Sequence, residues 1–273
     1  VSAPFPVATY RLQFSREFTL WRACALVDYL HALGISHVYA SPLLQARTGS
    51  PHGYDVTDPT RINGELGGEA ALDALAEALH RRGMGLVLDI VPNHMAASVE
   101  NPWWRDVLQC GQDSPYAAFF DVDWHPAGGV IASKLVLPVL GKPYGQALEG
   151  RELRLAFAED GFHIRYYDRR LPVDPRTYPR VLRQALEEQE IVSSPGGEAG
   201  SALRAVVAAL DTLPAPRAVG GRTRWEAWRA VGQGELWRLA SDHPVVGEAI
   251  AAAVRRFNGR RGEPASFDLL DGL

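Results

Sequence analysis

Met84-Gly85-Leu86-Val87-Leu88-Asp89-Ile90-Val91-Pro92-Asn93-His94 is the stretch on which the fold turns. It reads as a strand that is apolar almost throughout, broken by one acid, Asp89, and closed by a Pro-Asn-His turn. Continuous apolar strands are expected where both faces are covered, as in parallel sheets packed by helices. A carboxylate in such a strand is costly unless it is paired or hydrogen bonded, so Asp89 is expected to have partners. The plainer alternative is an acid that caps the turn after it.

Upstream, the hydrophobic period alternates. Pro6 to Phe14 reads as a strand of β-branched and aromatic residues. Leu20, Cys24, Val27, Leu30 and Leu33 recur at helical spacing, with Thr19 placed to cap the helix and Gly34 to end it. Ile35 to Ala40 reads as a second strand. Glu69 to Arg82 reads as a second helix with Leu72, Leu75, Ala76 and Leu79 on its stripe, closed by Gly83. Strand, helix, strand, helix, strand predicts an α/β fold with right-handed crossovers.

An open doubly wound sheet and a (β/α) barrel begin alike, and the loops separate them. A nucleotide-binding sheet calls for G-x-G-x-x-G after its first strand, where this chain has Ser15-Arg16-Glu17. Gly64-Glu65-Leu66-Gly67-Gly68 has the wrong spacing and is expected to follow no strand. Polar and aromatic residues gather instead after the second and third strands, where barrel active sites lie. Ser50-Pro51-His52-Gly53-Tyr54-Asp55-Val56-Thr57-Asp58 is the first such loop. Tyr54 is suited to stacking on an apolar sugar face with its hydroxyl bonded outward, or to filling a packing gap. His52 and His94 lack the spacing of a helical zinc site and have no evident third ligand, so no metal is expected.

After His94 the regularity ends. Residues 95–178 are rich in aromatics, Pro and Gly, with strand-like pieces at Lys134–Leu140 and His163–Tyr167, and read as a long insertion. Residues 179–273 are mostly helical by pattern, with breaks expected at Ser193–Gly200 and Pro214–Gly221. Trp225, Trp228 and Trp237 fall on those helical stretches and are expected to pack in a core, with sugar stacking as the alternative. Residues 1–94 are expected to begin a barrel.

Composition narrows the rest. The 273 residues carry 28 basic and 32 acidic side chains, a net charge of −4, which gives no global field for nucleic acid or an anionic membrane. No apolar run approaches the roughly 20 residues needed to span a bilayer. Two cysteines, Cys24 and Cys110, make neither a disulfide framework nor a thiolate zinc site. The absence of a leader and the mild acidity are read as cytoplasmic. Val1 in place of Met, and the end at Asp271-Gly272-Leu273, are read as the boundaries of a piece.

Gly53-Tyr54-Asp55-Val56 and Asp89-Ile90-Val91-Pro92-Asn93-His94 resemble the first signature regions of the α-amylase superfamily, glycoside hydrolase family 13. A closer similarity, to the trehalose-forming subgroup, rests on Ala8-Thr9-Tyr10-Arg11-Leu12-Gln13-Phe14, Tyr39-Ala40-Ser41-Pro42 and Gly49-Ser50-Pro51-His52. It continues in Lys134-Leu135-Val136-Leu137-Pro138-Val139-Leu140-Gly141, Arg165-Tyr166-Tyr167-Asp168, Asp174-Pro175-Arg176-Thr177-Tyr178, and Asn258-Gly259 through Phe267-Asp268.

The resemblance implies the N-terminal part of a (β/α)8 barrel, its first three strands, followed by the insertion and a mostly helical part. The implied activity turns the reducing-end α-1,4 bond of a maltooligosaccharide into an α,α-1,1 bond. The implied mechanism is retaining, with two carboxyl groups about 5–5.5 Å apart. It implies Tyr54 stacking on the sugar at the cleaved bond and His94 bonding that sugar's hydroxymethyl oxygen. Asp89 would order the pocket's arginine and hydrogen-bond network, with Asp55 and His52 as supporting or subsite residues. Asn93 matches a calcium position of many amylases, but no calcium, other metal or cofactor is expected here. The segment Gly-hydrophobic-Arg-hydrophobic-Asp-His that carries the superfamily's nucleophile is absent, as are the acid/base glutamate and third acid. The chain is therefore expected to be inactive alone, with maltooligosaccharide and the remainder of the barrel as partners. Alternatives are another α-amylase-family hydrolase or transglucosylase, or a non-catalytic carbohydrate-binding or remnant fragment.

Overall fold

The computed structural model describes residues 5–126, 134–187 and 197–273. The chain divides into two compact units, residues 1–104 and 105–273.

In the first unit, β1 (Thr9–Leu12) leads into α1 (Leu20–Cys24) and α2 (Val27–Ala32). β2 (His37–Ala40) follows, then β3 (Leu44–Ala46), β4 (Val56–Ile62), α3 (Gly68–Arg81) and β5 (Gly85–Leu88). β1, β2 and β5 form one parallel sheet in the order β1-β2-β5. The apolar stripe read as one helix is two short ones, because the Leu26 N–H bonds Ala23 O at three-residue spacing. Gly34 ends α2 at φ +84°, with Ile35 N bonded to Leu30 O and Gly34 N to His31 O. That is a Schellman closure, which glycine enters without a Cβ penalty.

Strand register sorts side chains by face. Tyr10, Val38 and Leu86 stand side by side, as do Leu12, Ala40 and Leu88. Val38, Ala40 and Leu12 are buried in one core with Leu20, Ala23, Val27, Leu30, Leu75 and Leu79 of the helices. Arg11, Tyr39 and Val87 align on the other face, with Asp89 two residues beyond Val87. The last strand is not buried on both faces as its composition suggested. Leu88 is 50% exposed and Ile90 64%. β5 is an edge strand with β2 on one side and no described strand on the other, so one flank stays open.

Two strands of the first unit were not anticipated. β3 and β4 pair antiparallel, with Ala46 opposite Val56, and enclose the loop that carries His52, Tyr54 and Asp55. The glycine run Gly64–Gly68 does follow a strand, β4, yet it forms a short 3-10 turn, Gly64–Leu66, and then the start of α3; Asn63 caps the turn, its side chain accepting from Glu65 N at 3.0 Å.

The division between units falls inside α4 (Pro102–Cys110). The second unit continues with α5 (Tyr144–Glu149) and an antiparallel meander of β6 (Leu153–Ala158), β7 (Gly161–Tyr166) and β8 (Arg169–Pro172). Helices α6 (Tyr178–Leu186), α7 (Glu198–Asp211), α8 (Gly221–Ala227), α9 (Gln233–Asp242), α10 (Pro244–Phe257) and α11 (Asp268–Asp271) follow. A π turn, Trp228–Gly232, joins α8 to α9. Lys134–Leu140 is irregular and not a strand; Pro138 offers no N–H, and Val139 N bonds Leu137 O in a tight turn. His163–Tyr167 falls largely in β7. The break at Pro214–Gly221 is present up to the start of α8, while residues 193–196 of the other expected break lie outside the described residues.

The helices and meander share one core built on Tyr178, Phe162, Phe257, Leu182 and Leu203. Trp225 and Trp228 are buried, the Trp225 indole N–H donating to Pro214 O at 2.8 Å, and Trp237 packs 5.5 Å from the Phe157 ring. Asn258, just past α10, closes the free edge of β6. Its Oδ1 accepts from Leu155 N at 2.7 Å and its Nδ2 donates to Leu155 O at 3.0 Å.

Among the described residues one carboxylate residue is fully buried. Asp106, 1% exposed, accepts from Ser114 Oγ at 2.6 Å and from the Arg222 and Arg229 guanidinium groups. Burial opposes its ionisation, but Ser114 and the two arginines outweigh that and hold the carboxyl below the usual range.

Candidate functional site

The site stands at the carboxyl end of the parallel sheet, where a strand's chemistry meets loops free to vary. Asp89 N donates to Ala40 O at 3.0 Å, which extends the β2–β5 ladder by one residue and fixes the acid at the sheet's rim. Its side chain is 16% exposed. Asp89 Oδ2 accepts three bonds, from Tyr54 Oη at 2.6 Å, Arg11 Nη1 at 3.0 Å and Tyr39 Oη at 3.2 Å. Arg11 Nη2 donates to Tyr54 Oη at 2.9 Å, and the guanidinium lies over the Tyr39 ring, 4.6 Å from its centroid.

These contacts set the electrostatics. The Tyr54 hydroxyl first, then Arg11 and Tyr39, hold the Asp89 carboxyl below the ordinary carboxylate range against partial desolvation. The same bond to Asp89, helped by burial, raises the Tyr54 phenol, while Arg11 pulls it back. Arg11 is raised chiefly by its bond to Asp89. The acid read from the sequence as needing partners has three of them.

The loop bearing Tyr54 is shaped by a glycine. Gly53 has φ +79°, and a Cβ there would stand 2.8 Å from Pro42 O. Gly53 N donates to Ser50 Oγ at 3.1 Å, and Ser50 Oγ donates to Asp55. Tyr54 N donates to His52 Nδ1 at 3.0 Å, and Gln13 Nε2 reaches His52 O at 3.3 Å. The His52 nitrogen that accepts from Tyr54 N has no proton for Asp55, 3.8 Å away, so those two are neighbours and not an ion pair. Through these bonds His52 and Asp55 shape the loop that presents Tyr54.

The structure therefore brings Tyr54 and Asp89 into direct contact, with His52 beside them at 5.9 Å between ring centroids. The Tyr54 hydroxyl bonds inward, to Asp89 and Arg11, and not outward as expected. His94 is exposed, and its ring nitrogen Nδ1 lies 3.1 Å from Asn93 Oδ1, outside this set. Arg11 and Tyr39 escaped sequence reasoning as site residues. The signal was their parity: each is an odd step on its strand, opposite in face to the buried Leu12 and Ala40. Among the described residues no group of three or more metal-ligating side chains converges. No described helix is long and apolar enough to cross a membrane.

Residues 24–146 match the family model described as alpha amylase, catalytic domain. A putative maltooligosyl trehalose synthase of Mycobacterium tuberculosis is 46% identical over 179 residues, 63% of this chain and 22% of that protein. The alpha-amylase SusG of Bacteroides thetaiotaomicron is 34% identical over 111 residues, 41% of this chain and 15% of that protein. The solved maltooligosyltrehalose synthase of Arthrobacter ramosus superposes with a TM-score of 0.54 at 46% identity, covering 62% of this chain and 21% of that one. The chain thus spans about a fifth of the length of these synthases. It matches part of an alpha-amylase catalytic domain model and resembles the N-terminal portion of maltooligosyl trehalose synthases.

Proposed function

We propose that these 273 residues are the N-terminal portion of a glucosylmutase that converts the reducing-end α-1,4 linkage of maltooligosaccharides to α,α-1,1. The observation that carries this reading is the Asp89–Tyr54–Arg11 set at the carboxyl rim of a parallel sheet. In this reading β1, β2 and β5 are the first three strands of a (β/α)8 barrel. Residues 1–94 begin the barrel, 95–178 form the insertion and 179–273 the helical part that leads to the next strand.

Tyr54 presents its ring to the sugar at the cleaved bond, with Asp89 ordering the polar network behind it. His94 contributes its ring once substrate and the rest of the pocket surround it, and His52 and Asp55 support the loop. The mechanism is retaining: one carboxylate forms a glycosyl-enzyme and a second carboxyl acts as acid, then base. Neither is assigned to this chain. Asp55 is engaged by Ser50, Asp58 by Thr60 at 2.6 Å, and Asp89 by three donors. Without nucleophile and acid/base the covalent route is closed, and the isolated chain is inactive. A cytoplasmic setting fits two free cysteines, Cys24 and Cys110.

The test is incubation of the purified chain with maltopentaose, followed by chromatography for non-reducing trehalosyl product and a reducing-sugar assay. No change is expected. Trehalosyl product above a blank overturns the assignment of both carboxyl groups to sequence outside the chain, and a rise in reducing sugar favours a hydrolase. Fusion to the remaining four-fifths of a synthase is expected to give the mutase reaction.

A further inference from the structure

Arg11 reaches the site by register alone. It lies beside Tyr39 in the β1–β2 ladder, one residue before the end of β1, and its guanidinium meets two different elements. One nitrogen donates to Asp89 just beyond β5, and the other to Tyr54 in the loop between β3 and β4. The three groups form a closed triangle, since Tyr54 Oη itself donates to Asp89 Oδ2 at 2.6 Å.

We propose that Arg11 is a positioning residue whose guanidinium fork locks the Tyr54 phenol against Asp89, so that Tyr54 offers a ligand its ring face and not its hydroxyl. The proposal rests on the reading of Tyr54 as a sugar-stacking residue. The phenol has one hydrogen to give, and Asp89 takes it. Its oxygen accepts from Arg11, so the polar end is engaged on both counts. Two bonds at the far end of the side chain restrict rotation of the ring about both of its torsions. Recognition through that residue then becomes contact with an apolar pyranose face, with no hydroxyl-to-hydroxyl reading.

Arginine is required for this and lysine is not an equivalent. A planar fork serves two oxygens at once, whereas an ammonium is a point donor on a flexible stem. The guanidinium plane also lies against the Tyr39 ring, whose hydroxyl bonds the same Asp89 oxygen. Arg11 is thereby held on one side by a π face while it holds Tyr54 on the other.

The test uses the 273-residue chain with Arg11→Lys, Tyr54→Phe, their double variant and Tyr54→Ala. Two readouts are taken: maltopentaose affinity by calorimetry, and ionisation of the Tyr54 phenol by ultraviolet absorbance, isolated as the difference between Tyr54-containing and Tyr54→Phe proteins. Arg11→Lys and Tyr54→Phe are each expected to weaken binding about tenfold, the worth of one charge-assisted hydrogen bond, and the double variant no further. Tyr54 is expected to ionise at higher pH in Arg11→Lys than in the wild type, because a bonded cation has been withdrawn. A purely structural loss of β1 does not single out one phenol.

Wild-type affinity in Arg11→Lys, beside lost affinity in Tyr54→Ala, overturns the positioning role and leaves the stacking role standing. Wild-type affinity in Tyr54→Ala, or no binding by the wild type, overturns the reading of Tyr54, and the phenol titration then decides Arg11 by itself. An unmoved titration overturns the proposal in every case.

Discussion

Two glycines separate backbone strain from steric strain, and the separation reaches the site. Gly34 and Gly53 have nearly the same backbone, φ +84° and +79°. For alanine that left-handed conformation costs about 1–2 kcal/mol. At Gly34 nothing lies within 4 Å of an added Cβ, so the backbone cost is the whole effect. At Gly53 the same carbon meets Pro42 O at 2.8 Å and Pro42 Cβ at 3.4 Å. A backbone oxygen has no rotamer by which to withdraw, and crowding of this kind adds about 1–3 kcal/mol. Gly34→Ala is therefore expected to lose about 1–2 kcal/mol, and Gly53→Ala about 2–5 kcal/mol. Urea unfolding of the two variants side by side measures the difference. If the loop moves to relieve the contact, the difference shrinks but Tyr54 is carried away from Asp89, and its phenol titrates at lower pH. Equal losses at the two positions together with an unmoved Tyr54 titration would refute the reasoning.

Three further outcomes are expected in the second unit. Asp106→Asn replaces a buried charge by an amide whose NH2 faces two guanidinium groups, and should cost about 3–5 kcal/mol in urea unfolding; a loss below about 1 kcal/mol would mean the arginines find other partners. His163 is held below its ordinary range by burial, then by the nearby Arg170 charge. The folded protein takes up this proton at lower pH than the unfolded chain does, so the stability it contributes is full well above about pH 6.5 and is lost as pH falls through that range, by up to about 1.4 kcal/mol per pH unit. His163→Gln should flatten that slope, and an unchanged slope from pH 7 to 5 would assign the pH dependence to other groups. Asn258→Ala leaves both backbone groups of Leu155 without their partner, at about 1–3 kcal/mol for each group left buried. Amide exchange at Leu155 should accelerate, and unchanged protection there would show the edge is sheltered in another way.

What could be read from the sequence follows from how local its cause is. The helix expected over Glu69–Arg82 and its stop at Gly83 match α3 within a residue at each end, because period and cap lie within one segment, although Ala76 of the expected stripe is exposed and Ala71 and Ala78 are buried with Leu75 and Leu79. β1, β2 and β5 were also legible, with ends a few residues generous. The hairpin of β3 and β4 was not, since β4 carries Pro59 and its partner is only three residues long, across a long loop. Lys134–Leu140 has the composition of a strand but finds no neighbour to pair with. At the site, Asp89 announced its need for partners and the loop announced Tyr54. Arg11 did not stand out, because its role depends on which residue of β2 it sits beside, and register is a property of two strands and not of one. The open flank of β5 was hidden for the same reason: apolar composition specifies a wish for cover, not its supply.

The alternation along the parallel strands has a consequence for how this protein can change. Arg11 and Leu12 are chain neighbours, as are Tyr39 and Ala40, yet one of each pair meets the polar rim and the other the helices. Substitutions at 12, 38 and 40 are felt by the core, and those at 11, 39 and 89 by the rim. The two sets of residues are interleaved in sequence but point to opposite faces of the sheet, so their side chains meet different partners. A lineage can therefore rewrite the rim one odd position at a time while its scaffold is inherited intact, and repair the scaffold at even positions without disturbing what the rim recognises.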